Sequence, residues 1–196
     1  IPLVLLDRAV YSVFSDFVSS DNKYGGRCAT EHLIINGHQK IGIILGGGAT
    51  YTADNRLEGY KEALARHKIA GHEDWVSRGS YSQESGYEGA GALRKQGVTA
   101  IFATNDLIAR GIYRYAQDHG LQIGTDLSVV GYDNTEICDW LVPPLTSVEQ
   151  NMLSMGETAV DLLLRQMEEE EHPKPAQNYY YMPLLRQRKS VGSPKK

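Results

Sequence analysis

An α/β fold built on parallel sheet is what this sequence predicts, and three observations predict it. Strand-like and helix-like patterns alternate with short connections from Pro2 to Val130. Glycines stand where helices should end, at Gly37, Gly97 and Gly120. Amide and carboxylate residues follow two apolar runs, as Thr104-Asn105-Asp106 and Gly131-Tyr132-Asp133-Asn134. Open α/β sheets bind ligands at the C-terminal ends of their strands, so these polar pairs mark a candidate pocket.

The elements follow in order. Pro2–Leu6, Lys40–Leu45, Trp75–Arg78, Thr99–Ala103 and Leu127–Val130 read as strands. Gly26–Asn36, Asp54–His67, Gln83–Gln96 and Leu107–His119 read as helices; Leu57, Tyr60, Ala63 and Leu64 repeat at helical spacing, as do Ile108, Ile112, Tyr115 and Ala116. Asp54 and Asp106 are placed to cap the helices that follow them. Beyond Tyr132 an irregular stretch reaches Pro143-Pro144, Thr146–Val148 is extended, and Asn151–Met167 is an amphipathic helix with Met152, Met155, Ala159, Leu162 and Leu163 on one face. The acidic run Glu168–Glu171 with His172-Pro173-Lys174-Pro175 reads as a solvated helix end and loop. Tyr179–Arg188 is expected as a last strand, and Lys189–Lys196 as a frayed basic tail. The strand that begins at Ile1-Pro2, with no helix or cap before it, implies a chain cut from a longer one.

Bulk composition removes several function classes. The 196 residues are 41% hydrophobic, enough for real cores. A net charge of -4 and a pI near 5.9 argue against a nucleic-acid footprint in these residues. No apolar run reaches the roughly 20 residues that span a bilayer, and no membrane contact is expected. Cys28 and Cys138 lie far apart without metal-ligand spacing and read as reduced thiols of a cytosolic protein. The histidines form no zinc motif, and neither a metal nor a cofactor is implied. Gly46-Gly47-Gly48 follows a strand but lacks both phosphate-loop signatures, so it reads as a turn shaping a pocket. Gly79-Ser80-Tyr81-Ser82 lacks the second glycine of a nucleophile elbow, and an enzyme is not expected.

Each candidate residue has a plainer alternative. Arg56, in the first turn of its helix, can fork two hydroxyls or a carboxylate, or else form a surface salt bridge with Asp54 or Glu58. Asn105 and Asp106 can both be helix caps. Asp133 and Asn134 can be an Asx turn. Tyr81, after a fourth strand, can cover the face of a ring or simply occupy a loop. Convergence favours a pocket for a ligand rich in hydroxyls, because these residues lie at several strand ends of one sheet.

In order and spacing, the chain resembles the effector-binding core of LacI/GalR-family transcriptional regulators up to about Arg188. The pieces that carry the resemblance begin with Ile1-Pro2 through Leu6-Asp7-Arg8, then Asp21-Asn22, Gly25, Ala29 and His32-Leu33-Ile34 with Gly37-His38 and Ile41. They continue with Arg56-Leu57-Glu58-Gly59-Tyr60, Ala63-Leu64, Thr104-Asn105-Asp106, Asp126 through Asn134 and Pro143 through Val148. The resemblance implies two Rossmann-like lobes of the periplasmic-binding-protein-like type I fold, with the N-terminal lobe incomplete. Residues 1–20 and 149–179 would belong to that lobe, 21–148 and 180–190 to the C-terminal lobe, and 191–196 to a flexible tail. The DNA-binding headpiece would lie outside this chain.

The resemblance also implies a function: sensing a small sugar or sugar derivative between the lobes and coupling it to operator DNA through the helix-turn-helix headpiece of a cytoplasmic repressor. Arg56, Asn105 and Asp133 match effector contacts, with Tyr81 at a position usually aromatic. Asp7 or Arg8, Gln150 and Met152 come from the opposite lobe. Met152 makes an apolar wall where purine-responsive members carry more aromatics, which favours a sugar. The helix Leu107–His119 would have a homodimer-facing side including Arg110 or Arg114. The alternatives are a periplasmic sugar-binding protein of an importer and a sugar-processing enzyme.

Overall fold

A computed structural model describes residues 1–9, 13–48, 50–168 and 175–195. The expected alternation is present. β3 (Ile41–Leu45), β4 (Val76–Arg78), β5 (Ala100–Ala103), β6 (Ser128–Tyr132), β7 (Thr146–Glu149) and β9 (Leu184–Arg186) form a six-stranded sheet in the order β4-β3-β5-β6-β7-β9. Its pairs are parallel, with Ile43 opposite Phe102 and Phe102 opposite Val130, except for β9, which runs antiparallel to β7. A three-stranded parallel sheet, β1 (Val4–Leu6), β2 (Asp16–Ser20) and β8 (Asn178–Tyr181), makes a second, smaller lobe.

The large sheet is buried on both faces, which is why its strands are continuous apolar runs instead of alternating ones. Ile41, Ile43 and Leu45 pack with Phe102, Val130 and Tyr132 against α1 (Asn22–Ile35) and α2 (Tyr51–Arg66). On the other face Ile44, Ile101, Ala103 and Val129 meet Leu93 of α3 (Gln83–Lys95) and Ile108 and Ile112 of α4 (Asp106–Asp118). The helices in each pair approach backbone to backbone. A Cβ on Gly59 would stand 2.0 Å from the Lys23 carbonyl oxygen, so no side chain fits there. A four-residue helix, α5 (Ile137–Trp140), precedes β7.

The small lobe has a thinner core, made by Val18, Met155 and Leu162 with Val4, Ala159, Tyr179 and Tyr181 around α6 (Met152–Glu168). Leu3, Phe14, Leu153 and Leu164 remain exposed on it. Three segments join the two sheets: Ser20-Asp21-Asn22, the stretch from Glu149 to Met152, and Met182-Pro183. The C-terminal ends of β1 and β2 therefore lie beside those of the large sheet.

Several expectations are corrected. β2 is missing from the sequence reading because its Phe-Val-Ser-Ser run carries only two apolar residues. α1 begins at Asn22, with Asp21 accepting from the Tyr24 N–H, four residues before the expected start at Gly26. α2 begins at Tyr51 and is capped by Thr50. Asp54 sits in its first turn, where a carboxylate faces the positive end of the helix dipole. The expected strand Tyr179–Arg188 is two strands in different sheets, because Pro183, which has no N–H to give a ladder, separates them. β8 stays with the small sheet to Tyr181, beyond the boundary expected at 179–180. Met152 is exposed and does not share the buried face of Met155 and Leu162.

The C-terminal segment is not a frayed tail through Lys195. Ser190 is fully buried; its hydroxyl donates to the Val129 carbonyl and accepts from the Thr146 N–H. His38 holds the next turn, with one ring nitrogen 2.9 Å from the Gly192 carbonyl and 3.0 Å from Ser128 Oγ and the other 2.9 Å from Thr99 Oγ1. Burial lowers the His38 pKa, and a neutral ring satisfies this set, donating to Gly192 and accepting from Thr99. Most of the acidic run, Glu169–Lys174, and Lys196 lie outside the described residues.

Candidate functional site

The candidate site is built from strand ends where the two sheets meet. Asp133 directly follows β6 in the left-handed region (φ 100°), and Asn134 follows it at φ 48°. These are residues whose short polar side chains tolerate such a backbone. The Asp133 N–H donates to the Val148 carbonyl, which fixes the turn to β7. Gln150 leaves β7 and donates from Nε2 to Asp133 Oδ1 at 2.8 Å. Its Oε1 is buried and has no partner among the described residues. A buried acceptor without a donor needs a further group, and a ligand hydroxyl is such a group.

Arg56 belongs to the second turn of α2 and is almost wholly enclosed, 3% exposed. Its Nε donates to Asn22 Oδ1 (2.8 Å) and its Nη1 to the Thr104 carbonyl (2.5 Å), with Asp133 Oδ1 3.8 Å away. The guanidinium lies 3.7 Å from the centroid of the Tyr132 ring. The surface salt bridge with Asp54 or Glu58 does not form; Glu58 pairs with Lys23.

Burial pushes the Asp133 pKa up to about 6; Arg56 pulls it down, and the nearby Asp106 pushes it further up. About a third of its side chain (32%) remains exposed to solvent. A carboxylate that needs charged partners and is only part-solvated is poised to accept from ligand hydroxyls.

The other expected residues divide. Asn105 is the N-cap of α4, its side chain accepting from the Ile108 N–H. Asp106 is no cap. Its two oxygens accept from Ser147 Oγ (2.6 Å) and from the Thr135 N–H and hydroxyl (2.7 and 2.9 Å). It thereby ties down the loop that carries Asp133, and Gly131 is required beside it because a Cβ there would stand 2.4 Å from Asp106 Oδ1. Asn134 Oδ1 accepts from Arg188, so its role is also local. Tyr81 lies across Gly46 and Gly47, where a Cβ would come within 2.4 Å of its ring. The glycine run is thus the bed for that tyrosine.

On the small-lobe side, Asp7 ends β1 at φ 52° and accepts from Ser19 Oγ at 2.9 Å. Arg8 is exposed, and Met152 is 59% exposed at the start of α6. The structure therefore joins Arg56, Asp133 and Gln150 directly, and links Asp7 to them through Ser19 and Asn22. Asn22, Thr104, Asp106 and Ser147 do structural work here that the sequence reading missed. Thr104 and Asp106 belong to the strand-end motif that the sequence displays, and Asn22 and Ser147 to the pieces that carry the family resemblance, but neither signal specifies these bonds. Among the described residues no group of histidine, cysteine and carboxylate side chains is placed to hold a metal, and no helix is long and apolar enough to cross a membrane.

Residues 30–191 match the periplasmic binding protein-like domain family. The ribose operon repressor of Haemophilus influenzae is 38% identical over 181 residues, 91% of this chain and 53% of that protein. The HTH-type transcriptional repressor PurR of Photobacterium profundum is 33% identical over 176 residues, 89% of this chain and 53% of that protein. The chain thus spans about half the length of the curated relatives it matches. Among solved structures, a LacI family transcriptional regulator from Enterococcus faecium with bound ribose superposes with a TM-score of 0.91 at 31% identity, covering 99% of this chain and 72% of that one.

Proposed function

Because the chain belongs to the periplasmic binding protein-like domain family, in the form found in LacI-family regulators, we propose that it is the effector-sensing core of a transcriptional repressor. Its effector is a sugar or sugar derivative held between the lobes. Operator DNA is bound by a helix-turn-helix segment outside this chain, in the cytoplasm. The observation that carries the reading is the Arg56–Asp133–Gln150 group at the cleft, a part-exposed carboxylate beside an unpaired buried amide oxygen. One accepts from vicinal hydroxyls and the other from a third. Likeness to a ribose operon repressor and to a ribose-bound regulator supports a sugar, and the repressor names favour a regulator over an importer's binding protein. The role is recognition, with no turnover of the effector.

Likeness to PurR repressors supports a second reading, a purine. A thermal-shift panel of pentoses, hexoses, disaccharides and purine bases on the full-length protein separates the two, since a ligand of the native state raises the melting temperature. A shift with a sugar and none with the purines is expected. A shift with purines alone contradicts the sugar reading.

The effector matters to DNA only through its unequal affinity for two lobe arrangements. A dimer converts that inequality into the spacing of two headpieces. The dimer face proposed here is the outer side of α4 with α5. Trp140 and Val142 are 81% and 87% exposed there, beside Arg110, which lies within 3.0 Å of the Gln83 amide, and Arg114. Replacing Trp140 and Val142 together by Asp should convert the dimer to monomers in light scattering. An unchanged mass excludes this face.

Sugar affinity should also depend on pH. With the Asp133 pKa at about 6, only about a tenth of the protein is ionised there at pH 5, so the apparent Kd should be about tenfold weaker than at pH 7. The loss is not unfolding through this group. A carboxyl whose folded pKa lies above its ordinary 3.8 stabilises the fold increasingly as pH falls from about 6 toward 4. Calorimetric titration at both pH values checks it.

A further inference from the structure

A run of side chains crosses from the small lobe into the candidate site, and Asn22 is a member of it that bonds to both sides. Asn22 opens α1 at the first crossing segment and is 2% exposed. Its Nδ2 donates to the Ser20 carbonyl (3.1 Å) and, at 3.4 Å, to Asp7 Oδ1 and Ser19 Oγ. Its Oδ1 accepts from Arg56 Nε. Arg56 in turn faces Asp133. Asp7 stands at the end of β1 in the three-stranded sheet, whereas Arg56 and Asp133 belong to the six-stranded lobe.

We infer that Asn22 is a positioning residue that sets the Arg56 guanidinium for the effector and links it to Asp7 across the hinge. An amide is the group the place requires. It must give hydrogen bonds toward the Asp7 carboxylate and accept one from a guanidinium, and only an amide does both in a fixed plane. Arg56 has two of its donors fixed, by Asn22 and by Thr104. A change in the angle between the lobes moves Asn22 with Ser20 and so shifts the first of them. An effector that pulls on Arg56 and Asp133 is thereby felt at the end of β1, without touching it.

The test uses the full-length protein and has two arms. In the first, melting temperatures are measured for Asp7→Gly (which suits the left-handed backbone), Arg56→Lys and the double variant, each with Asn22 and with Asn22→Ala. The double variant should lose less than the sum of the singles when Asn22 is present, and the losses should add when it is Ala. Additive losses with Asn22 in place overturn the inference. The second arm rests on the sugar reading and uses ribose as the probe. Asn22→Ala should weaken ribose binding about tenfold, roughly the worth of one hydrogen bond to a charged group. Asn22→Asp keeps an acceptor for Arg56 but gives up the donors toward Asp7, so it should lose less ribose affinity than Asn22→Ala and, like Asn22→Ala, show additive losses in the melting cycle. Unchanged affinity in Asn22→Ala, or an equal loss in Asn22→Asp, overturns the positioning role. If the wild-type protein does not bind ribose, the ribose assignment fails, and the melting cycle still decides the inference.

Discussion

Arg56→Ala should cost the protein about 3–5 kcal/mol of stability, the usual penalty for breaking a buried charged network by deleting one partner. The Arg56 side chain is only 4% exposed, and its loss strands three groups at once. Asn22 Oδ1 and the Thr104 carbonyl lose their donors, and the Asp133 carboxylate loses the only cation within 4 Å among the described residues. The Tyr132 ring loses its stacked partner and gains a cavity. Burial sets the size of the effect, and burial of a single arginine in a helix's second turn leaves no mark in a hydrophobic pattern. Chemical denaturation is the check; a midpoint equal to wild type would mean that these bonds are not formed in solution.

Asp133→Asn should do the reverse, removing effector binding while leaving the fold. Burial already disfavours the charge of this carboxyl, so an uncharged amide of the same shape should melt near the wild-type temperature at pH 7. The effector loses far more. A hydrogen bond to a charged group is worth about 1.5–3 kcal/mol, so a carboxylate serving two hydroxyls should be worth at least about a hundredfold in Kd. Titration of the variant with the sugar that shifts the wild-type protein reads this out. A Kd within about threefold of wild type would remove Asp133 from the effector contacts.

How much of this was legible in the sequence follows from what each element depends on. The large sheet and its four flanking helices were readable because β3, β5 and β6 are largely apolar and three of the helices, α1, α3 and α4, are followed by glycine. β2 was not, because two serines interrupt it and both are buried by the hinge network rather than by apolar packing. The last strand was misjudged as one element because sheet membership is a tertiary property, and a proline inside a run of tyrosines and leucines was the only local sign. The C-terminal segment looked like a tail since Ser190 and His38, which bind it to the sheet, lie far apart in the chain.

For the site, Asp133 stood out as a carboxylate at a strand end and Arg56 as a guanidinium near the sheet's edge, whereas Gln150 followed from the family resemblance alone. Of Asn105 and Asp106, both able to cap from the sequence, the asparagine caps α4 and the aspartate holds the Asp133 loop. Either residue type caps a helix equally well, so composition could not order them. Asn22 appears in the sequence only within the Asp21-Asn22 piece of the family resemblance, since its meaning lies in a bond to a residue on another helix.

The structure of the full-length protein with its sugar bound tests the central claim most directly. The account predicts the sugar between the two lobes, adjacent hydroxyls within hydrogen-bond distance of the Asp133 carboxylate and a third donating to Gln150 Oε1. A sugar bound elsewhere, or one in the cleft that leaves Asp133 and Gln150 untouched, would contradict it.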